Sequence, residues 1–300
     1  MGLILWAAAV RRRVRAPNAQ SGTSGRVNLA ADLTSFDAVH SSSELLALGS
    51  VAMPAHEAAF ATPKALEHHH VVLPRTAMVI AMDGRQRFIA DALHLTLHNP
   101  GVPYHREAIA DQADLSDYLM LSPQLADEWL HGARSFACAQ LPLDARGYLR
   151  AQRLFAAARR GAPMLQLEEA AMALMAAMQA APAPQRRRQP RPLGHRLSAV
   201  ERARRCLAEH LRATPTLAMV ARQACVSPFH LAHEFRRQTG LTLHAYAMAL
   251  KARAALREAH AHRGELATLA SELGYTDLPH LSRCFRAAFG LTPKQYLGLD

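Results

Sequence analysis

Cysteine is scarce in this chain: only four occur among 300 residues. They form no Cys-x-x-Cys pair and repeat no spacing that is typical of metal ligands. A disulfide framework and a cysteine-based metal site are therefore not expected, and we predict a reduced, cytoplasmic setting.

The chain also lacks an apolar run that could span a bilayer. The run from Leu3 to Val10 is far shorter than the roughly 20 residues that a spanning helix needs. The arginines at 11–13 follow this run, whereas a secretory signal has its basic residues first. We interpret residues 1–20 as a disordered leader or a misjudged start, and we expect no membrane partner.

Three common catalytic signatures are missing as well. The sequence contains no glycine-rich loop that could cradle a phosphate, no His-Glu-x-x-His and no Gly-x-Ser-x-Gly. These absences favour a binding protein over an enzyme, and no cofactor is expected.

Acidic residues are few near the carboxyl terminus. Residues 183–300 contain 19 Lys and Arg against 8 Asp and Glu, whereas residues 1–182 contain 16 of each kind. The whole net charge of +11 therefore lies in the last part of the chain. Such asymmetry is typical of a protein whose basic part binds nucleic acid or an anionic membrane.

Residues 181–195 have the composition of a linker. They combine five Pro or Gly residues with four Arg and show no apolar period. The chain is therefore expected to form two domains, at 21–180 and at 196–300.

Residues 71–110 contain short apolar runs that are separated by turn signals. The clearest signal is Asp83-Gly84, which lies between TAMVIAM and RQRFIAD and predicts a β-hairpin. Repeated turns at this spacing predict a small antiparallel β-barrel or sandwich.

Two helices are predicted after these strands, at about 144–160 and over the periodic apolar residues from Leu167 to Met178. They would either cover the core of the β domain or form a self-association surface. The sequence leaves both roles open, so a homodimer is one of two hypotheses.

A repeated phrase occupies the carboxyl-terminal part. Eight of the seventeen residues from His230 to Tyr246 are identical to the residues fifty positions later. Each copy follows a short amphipathic helix and predicts a second helix, which ends at Gly240 in the first copy and at Gly290 in the second. Two short helices joined by a tight turn, with basic residues on the second, describe a helix-turn-helix unit.

The segment between the two copies is also predicted to be helical. About 18 residues from Leu243 to His260 would span roughly 27 Å. This length is close to the ~34 Å that separates successive major-groove faces of a duplex. One chain is thus expected to place two helices in adjacent segments of the major groove.

The last third of the chain resembles the DNA-binding domain of the AraC/XylS family of bacterial transcription regulators. The resemblance rests on ARQACVSPFHLAHEFRRQTGLT, ALKARAALREA and ATLASELGYTDLPHLSRCFRAAFGLTPKQY. A weaker resemblance, carried by RFIADALHLTLHNPGVPYHRE, is to the cupin-like amino-terminal domains of many members. The implied fold class is α+β, with a cupin-like barrel at 21–180 and an all-α double helix-turn-helix domain at 196–300.

The resemblance also implies partners. They are double-stranded promoter DNA, an unknown small-molecule effector sensed by the amino-terminal domain, and RNA polymerase if the protein is an activator.

Base contacts are implied on the exposed side of each second helix. Arg283 is the strongest candidate, because a guanidinium can donate two hydrogen bonds to guanine O6 and N7. His233 stands where many members carry Arg, so the first unit lacks that forked donor. The full set of expected base contacts is Phe229, Ala232, His233, Leu278, Pro279, Ser282 and Arg283.

Basic side chains near these positions are expected to contact phosphate, which positions a protein without reading sequence. The competing interpretation is a solvated charged face, and for Lys251 a structural ion pair. The expected phosphate contacts are Arg236, Arg237, Arg286, Lys251 and Lys294.

Two enzyme hypotheses compete with the regulator. A metal-dependent cupin enzyme would use His94, His98 and His105, with His68 to His70 nearby, although the usual cupin spacing of histidines is missing. A DNA-repair methyl acceptor would need an activated thiolate, but Cys138 lies in the bland context FACAQ.

Overall fold

The computed structural model describes residues 36–180, 197–213 and 215–298. The leader expected at 1–20 and the linker expected at 181–195 lie outside these residues, so the predicted domain boundaries stay predictions. Below, residues 36–180 are called the amino-terminal region and residues 197–298 the carboxyl-terminal region.

All of the strands in the described residues belong to the amino-terminal region. Turn or bend residues lie between consecutive strands, as expected for short antiparallel strands. The strands are β1 Asp37–Ser42, β2 Leu46–Met53, β3 His69–Pro74, β4 Met78–Met82, β5 Gln86–Ala90, β6 His94–His98, β7 Tyr104–Ala108, β8 Asp114–Leu121 and β9 Gln140–Pro142.

These strands form two antiparallel sheets, and closure of the predicted β-barrel is not found among the described strands. The large sheet has the order β1-β2-β8-β3-β6-β9, and the small sheet has the order β5-β4-β7. Among the described strands no ladder joins one sheet to the other, and only an isolated bridge between Lys64 and Tyr104 extends the small sheet. The predicted α+β class is confirmed: a region of sheet is followed by a helical region.

The predicted hairpin at Asp83-Gly84 joins β4 to β5. The turn comprises Asp83, Gly84 and Arg85, and the first two have positive φ, 53° at Asp83 and 60° at Gly84. Asp tolerates this conformation better than most side chains, so the Asp-Gly pair explains the turn.

Four helices accompany the sheets within residues 36–180. The predicted pair at 144–160 and 167–178 is present, and residues of both helices join strands of the large sheet in one apolar cluster. These helices therefore cover one face of the large sheet. The helices are α1 Ala58–Ala61, α2 Pro123–Trp129, α3 Ala145–Arg159 and α4 Met164–Ala180.

The carboxyl-terminal region is entirely helical in its described residues. Polar side chains cap most of the helices: Ser198, Thr216, Ser227 and Thr242 each accept a hydrogen bond from a backbone N–H of the first turn. The helices are α5 Ala199–Glu209, α6 Leu217–Gln223, α7 Pro228–Thr239, α8 Leu243–Glu258, α9 Leu266–Glu272, α10 Leu278–Phe289 and α11 Pro293–Leu297.

The two regions share an apolar core. A single cluster of buried residues contains Leu154 and Phe155 of α3 together with Leu256 of α8 and Phe285 of α10. Helix α3 packs against both α8 and α10. The helical region is thus held against the face of the large sheet that carries α3 and α4.

The tight turn between α9 and α10 requires glycine at position 274. A Cβ at Gly274 would lie 2.3 Å from the carbonyl oxygen of Arg212, and the φ of Gly274 is +67°.

We expect Gly274→Ala to lower the free energy of unfolding by roughly 1–3 kcal/mol more than Gly264→Ala does. Gly264 also has positive φ, +95°, but a Cβ there meets nothing within 4 Å. Urea denaturation of both variants measures the difference, and equal losses would contradict the role of the carbonyl.

Candidate nucleic-acid interface and interior cavity

The first helix pair is α6 and α7. Ser227 caps α7 by accepting from the His230 N–H at 3.2 Å, and α7 ends at Gly240 with φ 77°. Leu231 and Phe235 are fully buried. Because α7 buries this one stripe, its opposite side faces solvent.

The second helix pair, α9 and α10, has the same design. Asp277 caps α10 by accepting from the His280 N–H at 2.6 Å, and the helix ends at Gly290 with φ 79°. Leu281 and Phe285 are fully buried, as are their counterparts in α7. The turns before α7 and α10 also correspond, since Cys225 has φ 55° where the second pair has Gly274.

The expected base-contact residues lie on the outer sides of α7 and α10, with different exposure. Phe229 is 86% exposed, which is unusual for a large apolar side chain. His233, Pro279 and Arg283 are also exposed. The remaining three, Ala232, Leu278 and Ser282, are half-buried.

The expected phosphate contacts divide into two groups. Arg236, Arg286 and Lys294 are exposed. Arg237 is exposed as well, but it forms an ion pair with Glu234 one turn earlier on α7. Hydrogen bonds from Arg237 hold the pKa of Glu234 at about 2, so this carboxylate stays charged and offsets the arginine.

Lys251 does not lie on this surface. It is 3% exposed, its Nζ donates to the Gly274 carbonyl at 3.3 Å, and it lies 6.0 Å from the centre of the Tyr275 ring. Burial lowers the pKa of Lys251. The expected phosphate contact is therefore corrected: this lysine ties α8 to the turn between α9 and α10.

Helix α8 connects the two pairs and is shorter than expected. It comprises 16 residues, Leu243–Glu258, and so spans about 24 Å. The predicted helix ran to His260, but residues 259–264 form a turn.

A cavity of about 530 Å³, including its open mouth, lies between the two sheets. Its wall is polar for an interior surface and includes His70, Thr96, His98, Tyr104 and Arg106. Arg106 is buried and donates to Asp114 at 2.6 Å, so its charge is compensated. The alternation of polar residues in HLTLH predicts that His94, Thr96 and His98 lie on one side of β6. Nothing in the sequence indicates that this side faces a cavity.

The histidines of the metal hypothesis are dispersed. His98 lines the cavity, whereas His94 lies beside Asp91 at 3.0 Å and His105 beside Glu107 at 3.6 Å. Within the described residues no group of three His, Cys, Asp or Glu side chains is arranged to hold a metal ion. The metal-enzyme hypothesis gains no support from this arrangement.

The cysteines likewise give no support to a methyl acceptor. Burial raises the pKa of the Cys138 thiol, and it does the same for Cys206 and Cys284. A raised pKa disfavours the thiolate, which is the nucleophilic form.

In the described part of the chain, no helix is both long and apolar enough to cross a membrane.

Comparisons with known proteins agree with the helix pairs. Residues 220–298 match a protein-family model described as a helix-turn-helix domain. The chain is similar to the C-terminal domain of AraT, a response regulator from Geobacillus stearothermophilus, with 24% identity over 34% of this chain and 85% of that one and a TM-score of 0.32.

Two further structures are similar. An AraC-type transcriptional regulator from Chromobacterium violaceum has 18% identity over 33% of this chain and 89% of its own, with a TM-score of 0.32. ToxT from Vibrio cholerae has 7% identity over 85% of this chain and 97% of its own, with a TM-score of 0.35. No curated protein matches the chain. The family match places a helix-turn-helix domain at residues 220–298, which contain α7 to α11.

Proposed function

We propose that the protein is a sequence-specific transcription regulator that binds double-stranded promoter DNA through two helix-turn-helix units, α6–α7 and α9–α10. The observation that carries this proposal is the matched design of α7 and α10. Each buries a Leu and a Phe four residues apart and exposes a basic residue directly after that Phe, Arg236 or Arg286. We refer to α7 and α10 as the recognition helices.

The exposed side chains of the recognition helices fit different kinds of base contact. Arg283 suits guanine, since its guanidinium can form two hydrogen bonds in the major groove. Phe229 and the apolar pair Leu278 and Pro279 suit the methyl group of thymine. His233 can form only single hydrogen bonds, so the first unit is expected to discriminate less.

The exposed arginines Arg236 and Arg286 occupy matching places in the two units. A charged side chain at the same place in both units suits a contact with the phosphate backbone, which has the same chemistry at every base pair. Lys294, at the start of α11, extends this basic surface.

We further propose that the amino-terminal region responds to a small-molecule effector bound in the cavity between the sheets. Support comes from two buried polar atoms in its wall, His98 Nδ1 and Thr96 Oγ1, which have no hydrogen-bond partner among the described residues. Leaving such atoms unpaired costs free energy, so a ligand or water that pairs with them would be stabilised. Hydrogen-bonding groups on a small molecule are therefore expected to meet β6.

Selection of bound duplexes from a random library tests the DNA-binding proposal. We expect the enriched sequences to contain two half-sites, one for each recognition helix. The logarithm of the association constant for the selected duplex should fall linearly with the logarithm of the salt concentration, with a slope of about −0.9 per neutralised phosphate. Fluorescence anisotropy over a range of KCl concentrations gives the slope. A flat salt response or no enriched sequence would reject the proposal.

Arg283 and Arg286 form a matched pair on one helix. We expect Arg283→Ala to lose roughly 1–3 kcal/mol of discrimination at one base pair, because the bidentate donor is lost. Arg286→Ala should weaken binding to all sequences alike and reduce the salt slope by about one phosphate contact. Affinities for all single-base changes of the selected site separate these outcomes. Identical profiles for the two variants would show that Arg283 does not contact a base.

The buried His98 gives a pH test of the cavity wall. Burial, and secondarily the nearby His70, lowers the pKa of His98 to about 3 from its ordinary 6.5. As the pH falls, His98 therefore binds a proton at a higher pH in the unfolded chain than in the folded chain. The free energy of unfolding that depends on a neutral His98 is lost progressively below pH 6.5. The stability of the wild type relative to His98→Gln should fall by about 1 kcal/mol between pH 6.5 and 5.5 and stay constant above pH 7.5. Urea denaturation at each pH measures it, and a constant difference would contradict a buried neutral imidazole.

A further inference from the structure

A buried polar junction joins the amino-terminal region to the helical region. Asp91, Arg204 and Tyr246 are 1%, 3% and 1% exposed. Arg204 Nη2 donates to Asp91 Oδ2 at 3.1 Å, and Arg204 Nε donates to the Tyr246 hydroxyl at 2.7 Å. That hydroxyl in turn donates to Asp91 Oδ2 at 2.5 Å. Helices α5 and α8 are therefore both tied to one carboxylate that follows β5.

Glu201 extends the junction to the backbone of β5. The sequence SAVE predicts a capping box, and Ser198 does cap α5. The Glu201 carboxylate, however, accepts from the Ile89 N–H at 2.5 Å instead of the cap. Its other oxygen accepts from Arg204 at 2.8 Å, and Arg204 also donates to the Ile89 carbonyl at 2.6 Å.

The junction holds one cation between two carboxylates. One guanidinium faces the carboxylates of Asp91 and Glu201, and Arg204 holds the pKa of Asp91 well below its ordinary value. His94 lies at the edge, with Nδ1 3.0 Å from Asp91 Oδ1 and 2.9 Å from Arg204 Nη2. This nitrogen can donate to the carboxylate or accept from the guanidinium, but not both at once.

Helix α8 is held at its other end as well. Arg253 donates to the Leu143 carbonyl, and its guanidinium lies 5.3 Å from the centre of the Tyr148 ring. Arg257, one turn later, donates to the Arg75 carbonyl. Leu143, Tyr148 and Arg75 all belong to the amino-terminal region.

These contacts lie along one side of α8. Tyr246, Arg253 and Arg257 are spaced by seven and four residues, which places them on one helical face. The amino-terminal region thus contacts about three turns of the helix that separates the two recognition helices. Apolar packing of α3 against α8 and α10 strengthens the same attachment.

The junction is also continuous with the cavity wall. Ala90 of β5 and Thr96 and His98 of β6 line the cavity. Ile89 and Asp91 flank Ala90 in the chain, and His94 begins β6. A change in the cavity that shifts β5 or β6 therefore moves atoms that hold Arg204.

We propose that the amino-terminal region clamps α8 through Asp91, Arg204 and Tyr246 at one end and Arg253 and Arg257 at the other, and so presets the relative positions of the two recognition helices. This inference rests on the proposed DNA-binding function and names the means by which the cavity would regulate it. Two units held in the right geometry bind a double site with a high effective concentration, and that gain is lost when the units move independently.

Asp91→Asn tests the clamp by a change in the amino-terminal region, which is not part of the proposed DNA-binding surface. The change keeps the shape of the side chain and removes the negative charge that holds Arg204. The probes are the duplex selected by the full-length wild type and a half-site version in which the other half is scrambled. We expect the ratio of full-site to half-site affinity to fall by about fivefold or more, with half-site affinity unchanged. Loss of a negative charge would by itself raise the affinity for DNA. The expected loss of full-site affinity therefore has the opposite sign to this charge effect.

Asp83→Asn is the matched control, because it makes the same charge change at the exposed turn between β4 and β5. The ratio should stay at the wild-type value. Tyr246→Phe provides a milder second variant, since it removes only the hydroxyl and keeps the ring that packs on Phe235. It should lower the ratio in the same direction, and circular dichroism checks that each variant is folded.

Hydrogen exchange of backbone amides separates the clamp from the DNA-binding proposal. In the full-length Asp91→Asn and Tyr246→Phe variants, amides of α5 and of the first turns of α8 should exchange faster than in Asp83→Asn. If the wild type binds no duplex, the proposed DNA-binding function is rejected. The clamp is then tested by hydrogen exchange alone. An unchanged affinity ratio in folded Asp91→Asn and Tyr246→Phe, or unchanged exchange at α5 and α8, would overturn the inference.

Discussion

The arrangement of the two regions depends on a buried guanidinium. Arg204 is removed from water at the boundary between a sheet and a helix bundle, where an unpaired charge would be strongly destabilising. Its partners include Asp91 after β5, Glu201 on its own helix and Tyr246 on α8. Because the hydrogen bonds of a planar guanidinium are directional, they restrict the angle at which α5 and α8 meet the sheet. Apolar packing alone would bring the regions together without fixing that angle.

The elements that the sequence predicted well are those specified by neighbouring residues. Ser227, Pro228 and Gly240 mark the start and end of α7 through local backbone geometry, so α7 is found where it was expected. Asp83-Gly84 specifies its hairpin in the same way. In these cases every interaction that decides the structure lies within a few residues of the chain.

Long-range pairing decided the features that were missed. Nothing near β5 indicates that β1, β2 and β8 belong to the other sheet, since the pairing of β2 with β8 joins residues as far apart as Leu46 and Leu121. Glu201 looked like half of a capping box, but a backbone N–H that is 112 residues away in sequence takes its carboxylate. Lys251 was predicted to be an exposed cation, but in the structure the turn at Gly274 covers its side chain. Sequence position alone does not show which face of a helix another segment will cover.

The length of α8 sets a condition on the DNA under the proposed function. A helix of about 24 Å is roughly 10 Å shorter than one turn of a duplex, so two recognition helices at its ends do not match straight DNA by length alone. Since α8 is attached to the amino-terminal region along one face, we expect a bound duplex to bend towards the protein. The energy of bending depends on base sequence even where no side chain touches a base. Under the proposed function, such deformation would supply specificity that the apolar pair Leu278 and Pro279 cannot supply through hydrogen bonds, and the attachment of α8 would be part of how a site is recognised.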